Sequence, residues 1–138
     1  MSELKEMKEQ IDLGFVSLYL IKPHIVCSDY KTEEIVNVEM GIKILEGTKS
    51  LTEDSRFALI VNLSNLYTPF KEHFKFMVSQ RSLEKDNMIA RAIVTTNLAS
   101  QIEMQNFINS FKPLTPTKLF STIDEAITWL EPQLNKVN

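Results

Sequence analysis

The stretch Phe57-Ala58-Leu59-Ile60-Val61-Asn62-Leu63 is an almost unbroken apolar run of strand length. A strand with one wet face alternates apolar and polar residues. A run that stays apolar at successive positions must bury side chains on both faces, as a parallel strand does beneath helices on either side. The stretch is therefore read as the central strand of an α/β sheet. Ile89 to Thr95, with Ala92-Ile93-Val94 at its heart, reads as a second buried strand.

Upstream, Phe15-Val16-Ser17-Leu18-Tyr19-Leu20-Ile21 is rich in β-branched and aromatic residues. The pattern resumes at Ile25-Val26-Cys27 after Lys22-Pro23-His24, where proline favours a turn, so an opening antiparallel hairpin is expected. From Thr32 to Glu46, Ile35, Val38, Ile42 and Leu45 recur at helical spacing. Glu33 and Glu34 suit the first turn of that helix, and Gly47 suits its C′ position.

Downstream, Thr68 can cap and Pro69 can begin a second helix with Phe70, Phe74, Met77 and Val78 on one face. Ser82 to Met88 reads as a short helical turn. Asn97 caps a third helix carrying Leu98, Ile102, Met104, Phe107, Ile108 and Phe111, which Lys112-Pro113 ends. Thr117 to Phe120 is strand-like. Thr122 and Glu125 have capping-box spacing before a last helix with Ile123, Ala126, Ile127, Leu130 and Leu134 on its apolar face. The order β-β-α-β-α-β-α-β-α implies a mostly parallel sheet with one antiparallel strand from the hairpin. Residues 1–10 form a charged N-terminal segment and 11–138 a single domain.

The chain has 138 residues, 43% hydrophobic and 24% charged, with three Gly and five Pro, which is the composition of a folded domain. A net charge of −3 with mixed signs offers no footprint for a phosphate backbone, so no nucleic-acid partner is expected. Cys27 is the only cysteine, which rules out an intramolecular disulfide and fits a reducing, cytoplasmic setting. Met1 to Gln10 lacks the roughly 7–15-residue apolar core of a signal peptide. Nowhere does an apolar run approach the roughly 20 residues of a membrane span.

The C-terminal third carries the succession Asn106-Phe107-Ile108-Asn109-Ser110-Phe111-Lys112-Pro113, Pro116-Thr117-Lys118-Leu119-Phe120, Glu125-Ala126 and Trp129-Leu130. It resembles the SpoIIAA-like, STAS-type small domains, including stand-alone bacterial versions of unassigned function. By element order the resemblance extends over Phe15 to Leu134, with Ile60-Val61-Asn62-Leu63 where the family has a strand ending in an Asp- or Asn-Leu pair. It implies a five-stranded mixed sheet with about four helices, used for protein–protein regulation; more distant relatives hold lipids. Regulatory members carry an Asp-Ser-Ser-Gly-like segment whose Ser is phosphorylated. Here that segment reads Leu63-Ser64-Asn65-Leu66-Tyr67-Thr68-Pro69-Phe70. It has no Asp-Ser pair and no Gly, and the nearest hydroxyl, Thr68, is accounted for as a helix cap, so the switch does not carry over.

No constellation of catalytic or metal-ligating residues stands out, and neither enzyme activity, a metal nor a cofactor is expected. His73 and His24 are isolated, with no nucleophile or orienting partner assignable. Cys27 sits among apolar neighbours and reads as a small buried hydrophobe. Glu33-Glu34 and Asp124-Glu125 fall in first turns, where the helix dipole explains them. No G-x-S-x-G, Walker or G-x-G-x-x-G motif is present. What remains is a protein-interaction module, expected as a homodimer. Its contact surface would comprise Tyr67, Thr68, Phe70, Phe74 and Phe76, because Phe76 lies off the core face of the second helix and helix starts at strand ends form the usual binding crevice. The alternative is an apolar or lipid-like ligand held between the sheet and the second and third helices by Met77, Met104, Phe107 and Phe111.

Overall fold

The computed structural model describes residues 10–32, 38–66, 80–85 and 87–136. Strands β1 (Ile11–Asp12), β2 (Val16–Lys22) and β3 (Ile25–Tyr30) form an antiparallel meander. Parallel strands β4 (Phe57–Asn62), β5 (Met88–Val94) and β6 (Thr117–Phe120) follow, and the six strands lie in chain order across one mixed sheet. Helix α1 (Val38–Thr52) joins β3 to β4, residues 80–84 (α2) precede β5, α3 (Leu98–Phe111) joins β5 to β6, and α4 (Ile123–Lys136) closes the domain.

A parallel sheet that grows one strand at a time in the same direction, with crossovers of one hand, places all its crossover helices on one face. Accordingly Ile44 of α1, Leu83 of α2 and Met104, Phe107 and Phe111 of α3 share a core with Val26, Leu59 and Ile93. Among the described residues, the opposite face is covered by α4, where Ala126 and Leu130 meet Cys27, Ala58, Ile60, Ala90, Ala92 and Val94. The alanines on β4 and β5 leave room for a helix backbone to lie close to the sheet. All six residues of β4 are buried, as the apolar run implies.

Several expectations hold to the residue. The Asn97 side chain accepts from Ser100 N at 3.1 Å, and Lys112 takes a left-handed conformation (φ 52°) to end α3. Thr122 Oγ1 accepts from Glu125 N at 3.1 Å, and Pro23-His24 is the two-residue tip of the β2–β3 hairpin. His24 there has φ 65°, a left-handed turn position that His tolerates better than most residues.

Three expectations are corrected. The sheet has six strands, not five, because Ile11 and Asp12 pair with Leu18 and Ser17 at the edge of β2. Gly47 does not end the first helix; it lies inside α1, which runs to Thr52 and gives way to Glu53 and Asp54 with φ 51° and 60°. A Cβ on Gly47 would lie 2.8 Å from Leu18 Cδ1, so glycine is what lets the helix approach β2. The stripe Val38–Ile42 points outward, while Gly41, Ile44 and Thr48 face the sheet. Small residues permit the close approach, and the Thr48 hydroxyl is satisfied by Ile44 O at 2.7 Å, which removes the penalty of burying it. Helix α3 divides in the same way: Ser100, Met104, Phe107 and Phe111 are buried, whereas Leu98 and Ile102 are exposed.

A charged pair sits inside the larger core. Arg91 of β5 has no exposed surface, and its guanidinium donates to Glu84 Oε2 at 2.8 Å, Gln80 Oε1 at 2.9 Å and Thr117 Oγ1 at 2.9 Å. Burial lowers the Arg91 pKa and the Glu84 charge opposes that shift. Glu84 Oε2 also accepts from Leu114 N at 2.9 Å and Thr115 N at 3.3 Å, and its Oε1 accepts from Arg81 at 3.0 Å. Arg81 donates onward to Phe111 O at 2.7 Å and lies 4.0 Å above the Phe111 ring. Removing one member of such a pair strands a buried charge, so Arg91→Ala or Glu84→Ala is expected to cost about 3–5 kcal/mol in urea unfolding. The double variant Arg91→Ala/Glu84→Ala is expected to cost less than the sum of the two single losses, a coupling that the double-mutant cycle reads directly.

Candidate functional site

Ligands of open α/β sheets gather beyond the carboxyl ends of the parallel strands, where loops and helix starts converge. Here the ends of β3 and β4 are tied by a polar cluster. Asn62 Nδ2 donates to Asp29 Oδ1 at 2.7 Å, while Asn62 Oδ1 accepts from Ser64 N at 3.1 Å. The Cys27 thiol donates to the same Asp29 oxygen at 3.5 Å, and Tyr19 is the cross-strand partner of Cys27. Beyond β5, Gln101 Nε2 donates to Thr95 O at 3.0 Å and reaches Ser121 Oγ at 3.4 Å, fixing the start of α3 to the end of β6. Most of these polar groups satisfy one another, which makes the cluster a rigid platform.

Its electrostatics work against nucleophilic chemistry. Burial pushes the Cys27 thiol up to about 12, a shift that the Tyr19 hydrogen bond opposes and the Asp29 charge reinforces. Burial likewise drives the Tyr19 hydroxyl well above its ordinary value. Both groups stay protonated near neutral pH, and a thiol in that state is a poor nucleophile and a poor metal ligand. Among the described residues, no three His, Cys, Asp or Glu side chains converge in a way that could hold a metal ion.

Two of the helices carry exposed apolar side chains in their first halves. Val38 (64% exposed) and Ile42 (49%) lie in the first half of α1, and Leu98 (70%) and Ile102 (55%) lie in the first half of α3. Both helices begin after the carboxyl end of a parallel strand, on the same face of the sheet. These are four of the five large hydrophobic residues exposed among those described, the fifth being Leu114 at the far end of α3.

The residues read from sequence as an interaction surface, Tyr67, Thr68, Phe70, Phe74 and Phe76, lie outside the described residues, as do His73 and Met77. Met104, Phe107 and Phe111, read as pocket walls, are buried in the main core, with the Phe107 and Phe111 rings stacked at 4.9 Å. Asp124 and Glu125 occupy the first turn of α4, as the dipole argument requires. His24 is exposed at its hairpin tip. The sequence reading missed two features. It names Val38, Ile42, Leu98 and Ile102 only as apolar residues of their helices and not as a surface, although the small residues Gly41 and Ser100 on the competing faces are a signal. It also left Asp29 and Asn62 apart, because nothing local links residues 33 positions from each other.

For a group whose pKa is raised on folding, stability is fully present below the unfolded value and is lost as pH rises through the folded one. The Cys27 contribution is thus intact at neutral pH and declines from about 9 towards about 12. At pH 8, native protein is expected to resist iodoacetamide over hours, and urea-unfolded protein is expected to react within minutes, as followed by intact mass. Equal rates would contradict the buried, protonated thiol.

No curated protein and no solved structure matches this sequence. No helix among the described residues is long and apolar enough to cross a membrane. A family model does match, over residues 19–134, a span that runs from Tyr19 in β2 to Leu134 in α4 and includes the Asp29–Asn62 platform and both exposed stripes. The chain belongs to the family described as Domain of unknown function (DUF7793).

Proposed function

We propose that this domain is a non-enzymatic, cytoplasmic protein-interaction module that pairs with a second copy of itself through the carboxyl end of its parallel strands. The observation that carries this is the exposure of Val38 and Ile42 on α1 and of Leu98 and Ile102 on α3, two helices that each follow the carboxyl end of a parallel strand. Single exposed apolar residues are ordinary on any protein, whereas two on each of two helix starts supply apolar area of the kind that an interface core uses. Symmetric dimers are the commonest assembly of soluble chains, and one self-complementary patch suffices to build one. Among the described residues at that end, Cys27 is held protonated and Asp29 and Asn62 are bonded to each other, which speaks against an activated nucleophile there. A STAS-like architecture accords with this use of the fold, since the resemblance implies regulation by protein contact without the phosphorylated serine.

Sedimentation velocity on the wild-type chain is expected to show a dimer. Ile42→Glu and Ile102→Glu are each expected to weaken dimerisation at least tenfold, about 1.4 kcal/mol. Leu114→Glu, at the opposite end, is expected to leave it unchanged. A wild-type chain that stays monomeric into the millimolar range would sink the proposal, as would equal effects of all three substitutions.

A further inference from the structure

The amino ends of the parallel strands hold a groove unrelated to that contact surface. It encloses about 470 Å³ between the β2–β3 hairpin tip, the residues leading into β4, the start of β5 and the last turns of α4. That size lies within the roughly 300–1,000 Å³ of sites for small organic ligands. Its apolar lining comes from Pro23, Ile89 and Leu134. At its rim are the cations Lys22 and Arg56 and the imidazole of His24, with Glu131 the one carboxylate among the lining residues. On a chain of net charge −3, a groove where two cations and a ring donor face a single acid is a local reversal of sign.

The rim is also held in place. His24 keeps its left-handed conformation because its carbonyl accepts from Ala58 N at 2.8 Å, which fastens the hairpin tip to β4. Across the groove, Pro132 lies inside α4, where it cannot donate to the carbonyl four residues back; the turn beyond it supplies Leu134 and Asn135 to the wall. A groove lined by Lys22, His24 and Arg56 together with the apolar side chains of Pro23, Ile25, Ile89 and Leu134 is complementary to an anion bearing an apolar body.

We infer that this groove is a binding site for a small amphiphilic anion, whose head group meets Lys22, His24 and Arg56 and whose apolar tail lies against Ile89 and Leu134. A carboxylate or a phosphate monoester could supply that head group, and the shared chemistry is a negative oxygen cluster attached to a short hydrocarbon. Because the site lies at the end of the sheet opposite Val38 and Leu98, its occupancy is independent of self-association.

The test is a titration of isotope-labelled protein with octanoate, octyl phosphate and octanol, followed by amide NMR shifts. Either anion is expected to give saturable shifts at the amides of residues 22, 24, 25, 55, 56, 89, 131 and 133–135, and the tighter of the two identifies the head group. Octanol is expected to bind at least tenfold more weakly. Arg56→Ala is expected to weaken anion binding at least tenfold, and Lys118→Ala on β6 is expected not to. If Arg56→Ala lowers the melting temperature, Lys22→Ala at the exposed hairpin end carries the same comparison. Absence of saturable shifts in the groove, octanol binding as tightly as the anions, or binding indifferent to Lys22 and Arg56 would each overturn the inference.

Discussion

The buried ion pair between Arg91 and Glu84 is the constraint on which the arrangement of this domain depends. Two opposite charges can lie in an apolar core only if their remaining hydrogen-bonding capacity is used up locally. Here that requirement gathers parts distant in sequence: Gln80 and Glu84 from α2, Thr117 from β6, and the backbone of Leu114 and Thr115 from the turn between α3 and β6. Arg81 extends the network to the C-terminal end of α3 through Phe111 O. One carboxylate thereby fixes how α2, α3 and β6 sit relative to β5. An apolar core tolerates small slides of its helices; a buried charge with fixed donors does not.

The sheet built around that pair has unlike faces and unlike ends. Three crossover elements share one face because the parallel strands are added in a single direction, and α4 covers the other over a floor of alanines. At the carboxyl end, the Asp29–Asn62 bond and the Gln101 side chain tie strand ends and a helix start together, and α1 and α3 each expose two apolar residues in their first halves. At the amino end, the left-handed turn at His24 borders a groove whose lining includes Lys22 and Arg56. One end has the character of a protein contact and the other that of a small-ligand site, which is why two separate functions are proposed.

Much of this was legible in the chain. The unbroken run at Phe57–Leu63 announced a strand buried on both faces, and the caps at Asn97, Lys112 and Thr122 stand where their chemistry places them. Caps are legible because the groups that satisfy them lie within four residues. Helix faces were less so. In α1 an apolar stripe through Val38 and Ile42 competes with a face containing Gly41, Gly47 and Thr48, and periodicity favours the former, whereas the packed helix presents the latter. The deciding quantity was the distance to β2, set by Leu18 and Ile11, and no spacing within the helix encodes it.

The sequence by itself determined the α/β class, the opening hairpin, the extents of β4, β6 and α4, and the absence of an intramolecular disulfide, since each follows from period, propensity or residue count. Only the tertiary structure decided the sixth strand, the outward turn of Val38 and Leu98 and the pairing of Arg91 with Glu84. Those depend on contacts between residues far apart in the chain and on exclusion of water, and both exist only once the sheet and its helices have closed on one another.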